Sequence, residues 1–212
     1  MRAFVHPSRF LCAVLAVLYG ALWACTSAAQ SPEPAPPAAP EQVPHIALLL
    51  PLTSGVRVFF YPSPLHYRIL PEVAYDINAT ILFGTNTFLA GYARFADPYD
   101  FYSLRYVFAG AEKLQDEVRR TWQDKFGIRI FEGYGATEAS PVIAVNHPDR
   151  NAPGTVGQVL PGIDWTLEPV EGIDAGGRLM LRGPNVMSGY VTSAEPLTWD
   201  PIGDDWLDTG DI

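Results

Sequence analysis

Three short segments carry the residue types that could act on a charged small molecule. Gly133-Tyr134-Gly135-Ala136-Thr137-Glu138 sets a flat aromatic ring, a hydroxyl and a carboxylate close together, spaced by glycine and alanine. Gly133 and Gly135 let the backbone approach a ligand or take a positive φ. Tyr134 offers a face to a planar base, Thr137 a hydroxyl to a phosphate, and Glu138 an oxygen to Mg2+. Ala109-Gly110-Ala111-Glu112 leads into a helical stretch, whose unpaired N–H groups and positive dipole end favour anions. Asp208-Thr209-Gly210-Asp211 ends on a carboxylate. Singly, each has a plainer reading. A Gly-x-Gly turn without a third glycine fails the dinucleotide fingerprint. Asp208 to Asp211 suits an Asx-type turn, and Asn185 to Tyr190 suits a loop leaving a strand.

Other chemistries are excluded by what the chain lacks. No Gly-x-Ser-x-Gly elbow exists, so Ser140 is not a hydrolase nucleophile. No Gly-x-x-x-x-Gly-Lys loop exists, and the two lysines, Lys113 and Lys125, fit a solvated helix face. Both cysteines, Cys12 and Cys25, fall in the first segment, which rules out a disulfide framework or cysteine-zinc site in the body. His6, His45, His66 and His147 are scattered without ligand spacing. Among 212 residues, 14 Lys and Arg stand against 23 Asp and Glu, a net charge of −9 with no basic block. That excludes nucleic acid as a partner and argues against an anionic lipid surface. A hydrophobic content of 48% is too high for a disordered chain.

The elements that must position these residues alternate. Strands are expected over 56–61, 80–84, 104–109 and 128–131, with helices over 66–77, 87–95 and 112–126. The last helix carries Leu114, Val118, Trp122 and Phe126 on one face and stops at Gly127. Such alternation predicts an α/β fold built on a partial, doubly wound parallel sheet. After Ser140 only short strands separated by Pro and Gly are expected, over 141–145, 155–160, 165–170 and 178–182. These predict a small antiparallel β subdomain. The organisation is therefore a leader over 1–29, a Pro/Ala-rich linker over 30–45, an α/β subdomain over 46–139 and a β subdomain over 140–212.

The leader starts with Arg2 and Arg9, continues through an apolar run from Phe10 to Trp23 and reaches small residues at Ser27-Ala28-Ala29. This pattern suits a signal peptide; an uncleaved anchor or a misassigned start codon is the alternative.

Five segments, taken in order, carry a likeness that none of them carries singly. They are Ala-Gly-Ala-Glu-Lys-Leu (109–114), Glu-Gly-Tyr-Gly-Ala-Thr-Glu (132–138), Gly-Thr-Val-Gly-Gln-Val-Leu-Pro-Gly (154–162), Gly-Arg-Leu-Met-Leu-Arg-Gly-Pro-Asn-Val-Met-Ser-Gly-Tyr (177–190) and Trp-Leu-Asp-Thr-Gly-Asp-Ile (206–212). Together they resemble the consecutive core motifs of adenylate-forming enzymes, the acyl-CoA synthetases and their relatives, over about Pro51 to Ile212. Residues 61–68, 93–102 and 122–127 look in addition like the synthetase half of bifunctional acyltransferase/acyl-[acyl-carrier-protein] synthetases.

The resemblance implies an ATP- and Mg2+-dependent ligase that joins a fatty acid to a thiol, on acyl carrier protein or CoA. It implies that Gly110, Ala111 and Glu112 line the adenine side, that Tyr134 stacks on the base and that Gly135 lies beneath it. Thr137 would meet the α-phosphate or the acyl carboxylate, Glu138 would hold Mg2+, and Asp211 would bind the ribose hydroxyls. The family's phosphate loop, its aromatic-His motif and its C-terminal lysine have no counterpart in this sequence. The chain is thus expected to be a fragment that is inactive alone, aggregation-prone or reliant on the remainder of a synthetase. The resemblance places it in the cytoplasm or on the cytoplasmic membrane face, whereas the leader implies export. An exported, non-catalytic binding protein or a sequence remnant is the competing reading.

Overall fold

The computed structural model describes residues 13–17, 53–192, 197–202 and 206–212. The linker over 30–45 and most of the leader lie outside the described residues. The chain divides into two compact units, Met1–Ile130 and Phe131–Ile212.

The first unit is α/β. Its strands are β1 (Ala13–Val17), β2 (Arg57–Tyr61), β3 (Ile81–Gly84) and β4 (Tyr106–Ala109). All pair in parallel, with β1 lying between β2 and β3, and β4 following β3. Helices α1 (Ile69–Asp76), α2 (Asn86–Phe95) and α3 (Asp116–Phe126) fall between or after these strands. The expected elements from 56 to 109 therefore form within a few residues of their predicted bounds. A strand in the leader was not foreseen. Part of the apolar run read as an export signal pairs with β2 over five residues and with β3 over three.

Helical spacing explains the core. Leu70 and Ala74 of α1, Leu89, Tyr92 and Ala93 of α2, and Val118 and Trp122 of α3 are buried together with Leu82 and Val107 from the strands. Trp122 stacks on Phe101 with ring centroids 4.9 Å apart and donates its Nε1–H to the Leu89 carbonyl at 2.9 Å. The Tyr92 hydroxyl donates to the Pro64 carbonyl at 3.0 Å. Lys125 is not merely a solvated surface charge. Its ammonium donates to the Ala93 carbonyl at 2.8 Å, in the last turn of α2, where a cation complements the helix dipole.

The third helix starts later than its pattern suggests, at Asp116 rather than Glu112. Two long-range bonds explain the delay. The Glu112 carboxylate accepts from the N–H and hydroxyl of Thr87, and the Gln115 N–H donates to the Asn86 side chain at 2.9 Å. Ala111 takes a φ of 64°, outside the helical region. At its other end α3 stops as expected, with Gly127 left-handed at φ 69°.

The second unit is antiparallel β. Strand β5 (Ile130–Gly135) pairs with β6 (Val142–Val145), which pairs with β7 (Gln158–Val159). Strands β8 (Asp164–Glu168) and β9 (Arg178–Arg182) pair, and β9 also pairs with β12 (Leu207–Asp208). A hairpin joins β10 (Gly189–Thr192) to β11 (Thr198–Pro201). A small core of Ala139, Ile143, Leu181 and Leu207 sits here, with Tyr134 and Val186 packed against it. No helix among the described residues is long and apolar enough to cross a membrane.

Candidate functional site

Six of the predicted residues, Gly133, Tyr134, Gly135, Thr137, Glu138 and Asp211, lie in the second unit, where Tyr134 and Asp211 meet directly. Tyr134 comes from the end of β5, which runs through Gly135 instead of ending at Phe131 as expected. Its hydroxyl donates to the Asp211 carboxylate, 77 residues away in sequence. Burial, followed by this bond to Asp211, pushes the Tyr134 phenol up to about 12. The phenol therefore remains a neutral donor at ordinary pH. Its ring is half-buried against the small core and keeps an open part.

Asp211 is presented by the turn that the plainer reading called for. The Asp208 carboxylate accepts from the Gly210 N–H at 2.9 Å, an Asx arrangement, and Gly210 adopts φ 73°. The Thr209 hydroxyl donates to the Leu179 carbonyl at 2.9 Å, and Leu179 N–H donates back to the Asp211 carbonyl at 2.9 Å. The structural and functional readings of this motif are thus compatible. The turn anchors the backbone to β9 and leaves the Asp211 side chain exposed.

Glu138 lies in a single 3-10 turn, Thr137–Ala139, which ends at Ser140 with a φ of 56°. Its Oε1 accepts from the Tyr190 hydroxyl at 3.3 Å. Burial, followed by the nearby Glu138 charge, raises the Tyr190 phenol from its ordinary value. Glu138 Oε2 has no hydrogen-bond partner among the described residues. Thr137 is exposed at the start of the turn. No group of three or more His, Cys, Asp or Glu side chains able to hold a metal occurs among the described residues. A lone carboxylate with one open oxygen fits Mg2+, which keeps several waters and takes further oxygens from phosphates.

The glycines of the motif also have a structural part. Neither Gly133 nor Gly135 has a positive φ. A Cβ on Gly135 would overlap the Pro141 carbonyl oxygen, so the backbone leading into β6 already demands glycine there. Gly110, Ala111 and Glu112 lie on the first unit. Gly110 N–H donates to the Gly84 carbonyl at 3.2 Å. Glu112 Oε2 accepts from the Thr87 hydroxyl at 2.8 Å and its N–H at 3.2 Å, capping the first turn of α2. These three residues do not open a helix, because α3 begins only at Asp116.

Two supporting groups escaped the sequence reading. Asn185 Nδ2 donates to the Ala139 carbonyl at 2.6 Å and Met187 N–H to the Glu138 carbonyl at 2.8 Å, so the loop treated as a plain connection grips the Glu138 turn. Behind β5, Asn146 is almost wholly buried at 1% exposure. Its amide donates to the Thr155 carbonyl at 2.6 Å and accepts from the Ala152 N–H at 2.8 Å. Glu132 Oε1 accepts from Gly154 N–H at 2.8 Å. Together these clip the 147–157 segment to the strand that carries Tyr134. The one available signal was a polar residue following the apolar run of β6.

Comparison with known proteins bears on the family of the chain. A family model described as AMP-binding enzyme matches residues 42–191. The long-chain-fatty-acid–CoA ligase of Yersinia pestis is 37% identical over 118 residues, which are 53% of this chain and 21% of that protein. The luciferin 4-monooxygenase of Photinus pyralis is 30% identical over 170 residues, 76% of this chain and 30% of that protein. Among solved structures, an anthranilate CoA ligase in complex with anthranoyl-AMP matches with a TM-score of 0.66 at 25% identity, covering 78% of this chain and 33% of its own. The chain spans about a fifth to a third of the length of these proteins.

Proposed function

The chain belongs to the AMP-binding enzyme family, and on that basis we propose that it carries the adenosine- and magnesium-side residues of an ATP-dependent acid–thiol ligase. The observation that carries the reading is the meeting of Tyr134 and Asp211 from distant motifs, with Glu138 on the turn after β5. In such a reaction a substrate carboxylate oxygen bonds to the α-phosphorus of ATP while the bond to pyrophosphate breaks. A thiol sulfur then bonds to the acyl carbon, and AMP leaves. The protein's task is to position reactants and offset charge.

Each residue then has a definite part. Tyr134 presents its open ring to the base. An ionised carboxylate has about four acceptor positions, so Asp211 can receive the Tyr134 hydroxyl and still accept from two ribose hydroxyls. Thr137 donates its hydroxyl to the α-phosphate or the acyl carboxylate. Glu138 would hold Mg2+, whose positive charge offsets that of the phosphates. Gly135 carries the backbone beneath the base, and Gly133, Gly110, Ala111 and Glu112 are proposed as further nucleotide-binding residues. The substrate is a fatty acid and the acceptor thiol belongs to acyl carrier protein or CoA. The likeness of residues 61–68, 93–102 and 122–127 to acyl-carrier-protein synthetases supports a fatty acid as the substrate and leaves both acceptors open.

Isothermal titration of the chain with ATP and Mg2+ tests the reading. Binding that Asp211→Ala weakens at least about tenfold, a loss of roughly 1.4 kcal/mol, is the expected result. A folded chain that binds no ATP would overturn it. Acyl-adenylate formation by this chain alone is not expected; ATP–pyrophosphate exchange with a long-chain fatty acid above a no-enzyme blank would refute that part.

A further inference from the structure

We infer that Tyr190 is a positioning residue for Glu138: its hydroxyl holds one carboxylate oxygen so that the other is turned toward the cation. The inference rests on the reading of Glu138 as the magnesium carboxylate and adds a residue to it.

The turn bearing Glu138 cannot orient the side chain unaided. It comprises three residues, Thr137–Ala139, closed by a bond from Ala139 N–H to the Ala136 carbonyl at 3.0 Å. A glutamate on so short a turn keeps three rotatable side-chain bonds, and its half-buried carboxylate can sample several of their states. Three bonds from residues 185–190 converge on the turn. Asn185 takes the Ala139 carbonyl, Met187 takes the Glu138 carbonyl, and Tyr190 takes Glu138 Oε1. The first two fix the backbone of the turn; the third alone reaches the carboxylate.

The origin of Tyr190 makes it suitable. It is the second residue of β10 and pairs with Asp200 of β11, within a four-pair antiparallel ladder. The Ile202 N–H donates to the Ser188 carbonyl at 3.1 Å and closes the ladder beneath it. Gly189, just before, has no room for a side chain, because a Cβ there would overlap the Asp200 carbonyl oxygen. The backbone of Tyr190 is therefore set by the hairpin, independently of Glu138. A phenol has only two side-chain torsions ahead of its hydroxyl, so its hydroxyl is delivered from a stiff support. With Oε1 engaged, Oε2 is the oxygen left for a cation.

The test is the magnesium dependence of ATP binding by the full chain, measured calorimetrically with EDTA and across a Mg2+ series. The Tyr190→Phe variant is expected to bind ATP in EDTA as the wild type does, but to lose about three- to tenfold of the Mg2+-linked gain in affinity. A merely structural role would weaken both conditions equally, and that result overturns the inference. So does a Tyr190→Phe variant with the full Mg2+-linked gain. Tyr190→Gln, which keeps a donor, serves if the Phe variant does not fold: retained gain supports the role, and a gain as small as in Glu138→Gln overturns it. A wild-type gain that Glu138→Gln leaves intact refutes the magnesium role of Glu138 and the inference with it. Absence of any ATP binding refutes the proposed function itself.

Discussion

Asn146 offers the sharpest test of how the second unit holds β5 in place. Its side-chain amide lies between two carbonyls and an N–H. Nδ2 faces the Thr155 and Glu132 oxygens at 2.6 and 3.3 Å, and Oδ1 accepts from Ala152 N–H at 2.8 Å. Only an amide in this orientation satisfies all three. Replacing it by alanine removes two good hydrogen bonds, each worth about 1 kcal/mol net. Ala152 and Thr155 are exposed, so water can replace part of what they lose, and the Glu132 carbonyl keeps its bond from the Asn146 N–H. A cost of about 2–3 kcal/mol follows, or roughly 5–10 °C in thermal midpoint for a chain of this size. Asn146→Asp is nearly isosteric and should be worse at neutral pH, by about 3–5 kcal/mol, because a buried charge would face two carbonyl oxygens. The sign of its pH dependence follows. Such a carboxyl would have a folded value above the ordinary one near about 3.9. Its contribution is whole below that ordinary value and is lost as pH rises through the folded value. Melts followed by circular dichroism at about pH 7 and about pH 5 should show Asn146→Asp below Asn146→Ala at the higher pH, with the gap narrowing at the lower. Equal midpoints for the two variants at both pH values would refute the argument that the amide is clamped by these three groups.

Trp122→Ala should cost about 3–5 kcal/mol in urea unfolding, while Trp122→Phe, which keeps the stack on Phe101 but loses the Nε1–H bond to Leu89, should cost about 1–2 kcal/mol. Glu112→Ala should lower stability by about 1 kcal/mol through the lost cap on α2. Unchanged ATP affinity in that variant would assign Glu112 to the helix cap, and a loss beyond the stability cost would assign it to the ligand as well. The Tyr134 phenol is held near 12, so its contribution to stability is whole below pH about 10 and is lost as pH rises toward that value. The thermal midpoint of Tyr134→Phe should therefore fall less steeply over this alkaline range than that of the wild type.

Much of the first unit was legible because its signals are local. The apolar spacing of α2 and the glycine after α3 act within a few residues, and both elements form where expected. The start of α3 was misread because the side chain of Glu112 is engaged by Thr87, a partner 25 residues away that no local pattern reveals. In the second unit β10, β11 and β12 were missed. They are short, and β11 is exposed throughout, so no alternation marks them. Tyr134, Glu138 and Asp211 were identified through the order of their motifs, and the bond between Tyr134 and Asp211 required the fold. Tyr190 stood in a recognised segment, yet nothing in the spacing pointed across 52 residues to Glu138.

The leader strand was not foreseen for a different reason. A short apolar run such as Ala-Val-Leu-Ala-Val satisfies a signal core and a buried parallel strand equally well. Its place in the sheet carries a consequence for the timing of synthesis. Both neighbours of β1 lie far downstream, β2 beginning at Arg57 and β3 at Ile81. At about 5–20 residues per second, a ribosome that has finished β1 needs about 2–8 seconds to begin β2 and longer still to reach β3. Throughout that interval the segment lacks both of the strands it pairs with. The sheet of the first unit is therefore completed in an order set by synthesis, with its interior strand made first and both of its partners made later.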